Sequence, residues 1–169
     1  MLTKEELLKG FEQSTDNLTD HLAAFDAKSF GIKPSHEKWS AFQIADHILL
    51  VDRVMVKVLS GFCAVAPRDP FSKKQMIEEN MNDLDRKFTS PEFILPSDVP
   101  VDKDAIISDI LKERAMIRNL IMVSDITEVC LDSKHPGFGQ LTRAEWVYFN
   151  ICHTNRHTKQ LERTAAAVA

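Results

Sequence analysis

Helix-capping signatures recur four times along the chain and constrain its fold more than any other feature. Three are capping boxes, in which Ser or Thr precedes Glu or Gln by three residues and each side chain bonds the backbone N–H of the other residue. The fourth is an aspartate cap without the partner. The caps are Thr3 with Glu6, Ser40 with Gln43, Thr142 with Glu145, and Asp102 alone. The sequence therefore predicts four helices that begin at these positions.

Apolar residues follow each cap at spacings of three and four, the period of a helix with one buried face. The predicted inward residues are Leu7, Phe11, Leu18, Leu22 and Phe25; Ile44, Ile48, Val51, Val54, Met55 and Val58; Ile106, Ile110, Ile117, Leu120 and Ile121; and Trp146, Phe149, Cys152 and Leu161. Packing these faces together favours an all-α four-helix bundle. The predicted organisation is a single domain spanning residues 1–169, a length that one core can stabilise.

The connection between the second and third predicted helices is long for a bundle, at about 40 residues. This crossover, residues 61–101, holds five prolines and an amphipathic stretch. The stretch consists of Met76, Ile77, Met81, Leu84 and Phe88. We predict one short additional helix in the crossover, and a second ordered connector at residues 126–141.

Composition narrows the expected partners. The net charge is −4 and the 21 Lys and Arg residues are scattered, so we expect no nucleic-acid partner. Neither a glycine-rich nucleotide motif nor an 18-residue apolar run occurs, so a small molecule is the expected partner and no membrane association is expected. The N-terminus lacks the apolar core of a signal peptide, and the three cysteines lack disulfide-like spacing. A cytoplasmic location is expected on these grounds.

Histidines interrupt the inward faces of two predicted helices. His153 and His157 are spaced i, i+4, so both imidazoles lie on one face where a single metal ion can reach them. His47 lies between Ile44 and Val51 on the inward face of the second helix. Three neutral imidazoles with an open coordination position are typical of a catalytic metal site. The alternative interpretation is that these are core histidines satisfied by hydrogen bonds.

The remaining candidates have other expected roles. His21 is predicted at the boundary of the first helix and His36 in an exposed loop, while His135 either stabilises the loop before the fourth helix or lines a pocket. Arg156 could contact an anionic substrate or lie solvated on its helix. Neither Glu-x-x-His nor HExxH occurs, which argues against di-iron and zincin-type sites.

Two further expectations concern the surroundings of the three histidines. Trp39 and Trp146 are each explained by apolar packing beside a helix cap. No inward Asp or Glu is expected on the two helices that carry the histidines. A hydrolase would need such a carboxylate as a general base.

Two motifs, taken together and in this order, resemble the DinB superfamily of metal-dependent bundle proteins. The first is KWSAFQIADH at residues 38–47, and the second combines HPGFGQLT at 135–142, EW at 145–146, HTNRH at 153–157 and QL at 160–161. The resemblance covers most of the chain. It implies a DinB/YfiT-like four-helix bundle with a long crossover between helices 2 and 3, often a homodimer.

The resemblance also implies a divalent metal, commonly nickel or zinc, held by one histidine of the second helix and an HxxxH pair of the fourth. The matching residues here are His47, His153 and His157. Iron or cobalt would also suit three imidazoles. No residue beyond these ligands is assigned a catalytic role.

Some members of this family transfer low-molecular-weight thiols, such as bacillithiol, mycothiol or glutathione, onto electrophiles, or use them in isomerisation. The resemblance therefore implies a thiol transferase, and a divalent cation would favour the thiolate of such a cosubstrate. A metal-dependent hydrolase, and a bundle that binds a metal or small ligand without turnover, are the alternatives that the sequence leaves open.

Overall fold

Five helices and one small antiparallel ribbon make up residues 2–169, the part of the chain that the computed structural model describes. The helices are α1 (Lys4–Ala23), α2 (Ala41–Ser60), α3 (Lys74–Asn82), α4 (Lys103–Val123) and α5 (Arg143–Val168). Short 3-10 turns lie at Ser29–Gly31 and Glu92–Ile94, and the strands are β1 (Cys63–Ala64) and β2 (Val129–Cys130). The predicted four-helix bundle is confirmed as α1, α2, α4 and α5.

All four predicted helix starts are confirmed by hydrogen bonds at the caps. In each case a side-chain oxygen accepts from the backbone N–H three residues later, which satisfies a donor that the first helical turn leaves unpaired. The bonds are Glu6 N to Thr3 Oγ1 (3.1 Å), Gln43 N to Ser40 Oγ (3.2 Å), Ala105 N to Asp102 Oδ1 (2.9 Å) and Glu145 N to Thr142 Oγ1 (3.2 Å). The three boxes are complete, with the Glu or Gln side chain accepting from the cap backbone.

The long crossover sets the direction of the fourth helix in sequence, α4. It returns the chain to the end of the bundle where α2 begins, so α2 and α4 start at the same end, whereas α2 and α5 run in opposite directions. Within the crossover, α3 packs against α5 and the turn at Glu92–Ile94 packs against α2. The crossover therefore covers the seam between α2 and α5.

A buried polar layer divides the bundle core into two apolar clusters. Its centre is an ion pair, with Arg114 Nε 2.9 Å from Asp52 Oδ2 and both side chains at most 2% exposed. Arg114 also donates to Thr15 Oγ1 (3.0 Å) and Thr154 Oγ1 (2.6 Å), and Asn150 Nδ2 donates to Asp52 Oδ1 (2.9 Å). All four bundle helices contribute to this layer.

The expectation that α2 and α5 carry no inward Asp or Glu is therefore wrong. Asp52 on α2 and Glu145 on α5 are both fully buried. Glu145 accepts from Arg68 Nη1 and Nη2 at 2.7 and 2.6 Å and from the backbone N–H of Lys73 at 2.9 Å. Each buried carboxylate is compensated by a cation from a distant part of the sequence, which burial requires.

Within residues 2–169, no helix combines the length and apolar character needed to cross a membrane.

Replacing Arg114 with methionine is expected to lower the free energy of unfolding by about 3–5 kcal/mol, because Asp52 stays buried without its cation. The double variant Asp52→Leu, Arg114→Met removes both charges and is expected to be more stable than Arg114→Met alone. Arg118→Met, which removes an exposed pair with Glu12, is the control and should cost at most about 1 kcal/mol. Urea unfolding measures all three, and an Arg114→Met cost equal to that of the control would contradict the assignment.

Candidate metal centre

Three imidazoles converge at the seam between α2 and α5. His47 comes from α2, and His153 and His157 lie one turn apart on α5. His153 Nε2 is 3.2 Å from His47 Nε2 and 3.1 Å from His157 Nε2. One ligand atom of each residue lies within 4.8 Å of the other two. The three residues that the sequence predicts as ligands thus form one cluster.

The outer ring nitrogens fix the tautomers of two of these histidines. His47 Nδ1 lies 2.8 Å from the backbone oxygen of Ile94, which can only accept, so this nitrogen carries the proton. His157 Nδ1 lies 2.9 Å from Gln160 Oε1 and donates in the same way. Both Nε2 atoms therefore direct lone pairs toward His153, as in metal sites where an outer acceptor orients each ligand.

The inner nitrogens cannot satisfy one another by hydrogen bonds alone. His153 Nε2 has two lone-pair neighbours and at most one proton to donate, so at most one of the two contacts is a hydrogen bond and at least one neighbouring lone pair has no donor. A divalent cation would accept all three lone pairs. Nitrogen ligands about 2.0–2.1 Å from a tetrahedral ion lie roughly 3.3 Å apart, close to the two contacts observed here. The donor set therefore fits a metal ion.

Burial keeps these imidazoles in the form that binds metal. It lowers the pKa of His157 to about 3, and it lowers the pKa of His47 below its ordinary value. Burial also holds the pKa of His153 well below its ordinary value, with a further contribution from the neighbouring histidines. Neutral imidazole is the ligand form, so the cluster needs no deprotonation near pH 7.

Trp39 borders the cluster directly. Its ring is stacked on that of His157 at 6.3 Å between centroids, and it lies 5.0 Å from the ring of His47. The sequence assigns Trp39 only to packing beside the α2 cap, because the stacking partner is more than 100 residues away. This indole covers one side of the two imidazoles.

A cavity of about 1230 Å³ opens beside the cluster. All three imidazoles line it, and α2, α5, the crossover and the connector before α5 provide its walls. One side is apolar and consists of Val51, Val54, Met55, Val58, Phe138, Trp146 and Phe149. The volume exceeds the roughly 300–1,000 Å³ that is usual for small-molecule sites, so a substrate has ample room next to the imidazoles.

His135 combines the two roles that the sequence leaves open for it. Its Nδ1 accepts from the backbone N–H groups of Gly137 (3.1 Å) and Phe138 (3.2 Å), which stabilises the loop before α5. It also lines the cavity, with its ring 4.4 Å from that of Phe149. Burial lowers its pKa to about 4, so the ring is neutral at pH 7 and its proton resides on Nε2.

Two other histidines lie away from the cluster. His21 Nδ1 bonds the backbone oxygen of Asn17 at 2.7 Å, and its Nε2 lies 3.2 Å from Glu162 at the surface between α1 and α5. His36 is exposed in the loop before α2, as predicted.

Arg156 lines the cavity but its guanidinium is already engaged. It donates to the backbone oxygens of Met81 (3.2 Å), Asp83 and Arg86 (2.6 Å), and it lies over the Phe88 ring. Arg156 therefore anchors the crossover to α5. Its contact with an anionic substrate stays a prediction.

The depressed pKa of His135 predicts a pH-dependent loss of stability. The folded ring stays neutral to about pH 4, whereas the unfolded ring takes up a proton near pH 6.5, so stability is lost as the pH falls between these values. His135→Asn keeps an acceptor for the loop N–H groups but does not titrate. Both proteins are measured with a chelator present. Between pH 7.5 and 4.5, the free energy of unfolding of the variant, measured in urea, is expected to fall by about 2 kcal/mol less than that of the wild type. Equal losses would contradict the prediction, and His36→Asn controls for the substitution.

Comparisons with known proteins agree with this architecture. The sequence model of the DinB superfamily matches residues 10–161. The chain is similar to the uncharacterized protein YuaE of Bacillus subtilis (strain 168), with 24% identity over 162 residues, 90% of this chain and 93% of that protein. The crystal structure of TT2238, a four-helix bundle protein, superposes with a TM-score of 0.62 at 18% identity over 95% of this chain and 99% of that one, a likeness of fold. The chain belongs to the DinB superfamily.

Proposed function

We propose that the chain is a divalent-metal-dependent enzyme that acts on a small molecule, with His47, His153 and His157 as the metal ligands. The observation that carries the proposal is the convergence of three Nε2 atoms, two of them with tautomers fixed by outer acceptors. Nickel or zinc is the expected metal, and iron or cobalt would suit the same ligands. The large adjoining cavity gives a substrate access to the position that three ligands leave open.

The reaction we propose is transfer of a low-molecular-weight thiol to an electrophile. A bound divalent cation lowers the pKa of a thiol, so it supplies the thiolate at neutral pH. The sulfur electron pair forms the new bond to carbon, the leaving group departs with its own bonding pair, and the thiol proton passes to solvent. The roles of this chain's residues are to orient the imidazoles through Ile94 and Gln160 and to hold the electrophile against the apolar wall.

Thiol transfer is favoured over hydrolysis by the state of the buried carboxylates. Hydrolysis by a bound water benefits from a nearby general base. Among residues 2–169, the buried carboxylates are Asp52 and Glu145, and both are engaged by cations, Arg114 and Arg68. Two further carboxylates line the cavity: Asp132 accepts from the backbone N–H of Phe62, and Glu37 is exposed in the loop before α2. A thiol whose proton is lost to solvent needs no such base.

The metal content of untagged protein tests the proposed ligand set. We expect about one equivalent per chain in the wild type and none in the triple variant His47→Ala, His153→Ala, His157→Ala, measured by mass spectrometry. The double variant His21→Ala, His36→Ala removes two histidines outside the cluster and should retain the metal. Wild-type protein that holds no metal and takes up neither added Zn²⁺ nor Ni²⁺ would overturn the proposal.

Activity then separates the candidate reactions. Metal-loaded wild type is expected to conjugate glutathione to 1-chloro-2,4-dinitrobenzene above the uncatalysed rate, and the triple alanine variant should not. Turnover of ester or amide substrates without any thiol would favour the hydrolase. Metal binding with no turnover of either kind would leave a binding protein.

A further inference from the structure

Basic side chains are concentrated around the cavity of a chain whose net charge is −4. Seven of the 21 Lys and Arg residues line it, but only two of the 25 Asp and Glu residues do, Glu37 and Asp132. One of these carboxylates is engaged, because Asp132 Oδ2 accepts from the backbone N–H of Phe62 at 2.9 Å. The cavity lining is therefore net positive although the whole protein is net negative.

Within residues 2–169, six of these seven cations differ from most other basic residues in having no hydrogen-bond or ion-pair partner. Apart from Arg156, none of the seven makes a side-chain hydrogen bond or ion pair with another residue in the described part of the chain; the six are Lys38, Arg86, Lys87, Lys134, Lys159 and Arg163. Outside the cavity, three basic side chains have no partner among residues 2–169: Lys9, Lys28 and Lys57. The other eleven contact carboxylates, carbonyls or hydroxyls. Free cations are thus the rule at the cavity and the exception elsewhere.

The two helical walls of the cavity are polarised in the same direction, with the imidazoles between their apolar and basic residues, whereas Lys134 lies in the connector beside the apolar end. On α5, Trp146 and Phe149 precede the histidines, whereas Lys159 and Arg163 follow them. The antiparallel α2 shows the same order in reverse: Lys38 lies just before the helix, and Val54 and Val58 lie beyond His47. Lys38 is next in sequence to Trp39, whose ring is stacked on His157, and both residues line the cavity.

We propose that this cavity selects small molecules that carry an anionic group joined to an apolar body. The apolar body lies against Val54, Val58 and Phe149, and the anionic group lies at the basic end near Lys38, Lys159 and Arg163. Several like charges around one concave surface repel one another, and a bound anion relieves that repulsion while its apolar part leaves water. The concave apolar floor fits a small molecule better than a polymer that tracks a flat basic stripe.

This inference rests on the proposed function only in taking the same cavity as the substrate site. Its test uses two fluorescent probes that share one ring system: 8-anilinonaphthalene-1-sulfonate, which is anionic, and N-phenyl-1-naphthylamine, which is neutral. The rim variant, Lys38→Gln, Lys159→Gln, Arg163→Gln, replaces the three cations of the basic end. The control variant, Lys9→Gln, Lys28→Gln, Lys57→Gln, changes the net charge equally with exposed, unpartnered lysines away from the cavity.

The rim variant is expected to raise the Kd of the anionic probe about tenfold, because it removes three cations that attract the bound anion. The Kd of the neutral probe should change less than twofold, and the control variant should change neither Kd by more than twofold. Raising NaCl from 50 to 300 mM should increase the Kd of the anionic probe more in the wild type than in the rim variant. Fluorescence titration measures each Kd, with circular dichroism to establish that the variants are folded.

The inference would be overturned if the rim and control variants raised the Kd of the anionic probe equally. It would also be overturned if the rim variant raised the Kd of both probes equally. Metal content is measured on the same preparations, so the two proposals fail separately. If the protein binds no metal, but the Kd of the anionic probe rises only in the rim variant, the metal centre is refuted and the charge selection is supported. Metal-loaded protein whose rim variant binds the anionic probe unchanged refutes the charge selection alone.

Discussion

The ion pair between Asp52 and Arg114 is the interaction on which the rest of the bundle depends. Apolar contacts are non-directional and tolerate alternative packings, whereas a buried guanidinium and carboxylate are satisfied in few arrangements. The partners Asn150 and Thr154 fix the rotation of α5, because both must face the polar layer. With α5 held in that rotation, the face that bears His153 and His157 turns toward α2. The geometry of the imidazole cluster thus follows from a contact in the neighbouring layer.

Features encoded locally were predictable, and features that depend on distant partners were not. The helix starts and the HxxxH pair are set by residues within four positions of one another, so their pattern is visible in the sequence. Asp52 and Arg114 also left a signal, since each stands four residues after a buried isoleucine and three before another buried apolar residue. Each looks like an isolated exception to its apolar stripe, and only their pairing across the core explains both.

The orientation of the ligands lay beyond what periodicity can predict. The acceptor for His47 is a backbone oxygen at Ile94, in a proline-rich segment with no regular pattern before or after it. The position of that oxygen depends on how the crossover is held, and Arg156 contributes to this through three backbone oxygens of residues 81–86. Helix periodicity thus identified the three histidines that cluster, but the crossover supplies the acceptor that sets the tautomer of one of them.

Both anchors of the crossover act on main-chain atoms, at Ile94 and at the carbonyls that Arg156 binds. A main-chain oxygen persists when the side chain of its residue is replaced, so the crossover can accumulate substitutions and still orient His47. The side chains that line the cavity from this segment are free to diverge, in keeping with the variability of loops that a rigid scaffold supports. Substitutions in this one segment would therefore alter the lining of the cavity while the histidines and their hydrogen bonds stay as they are.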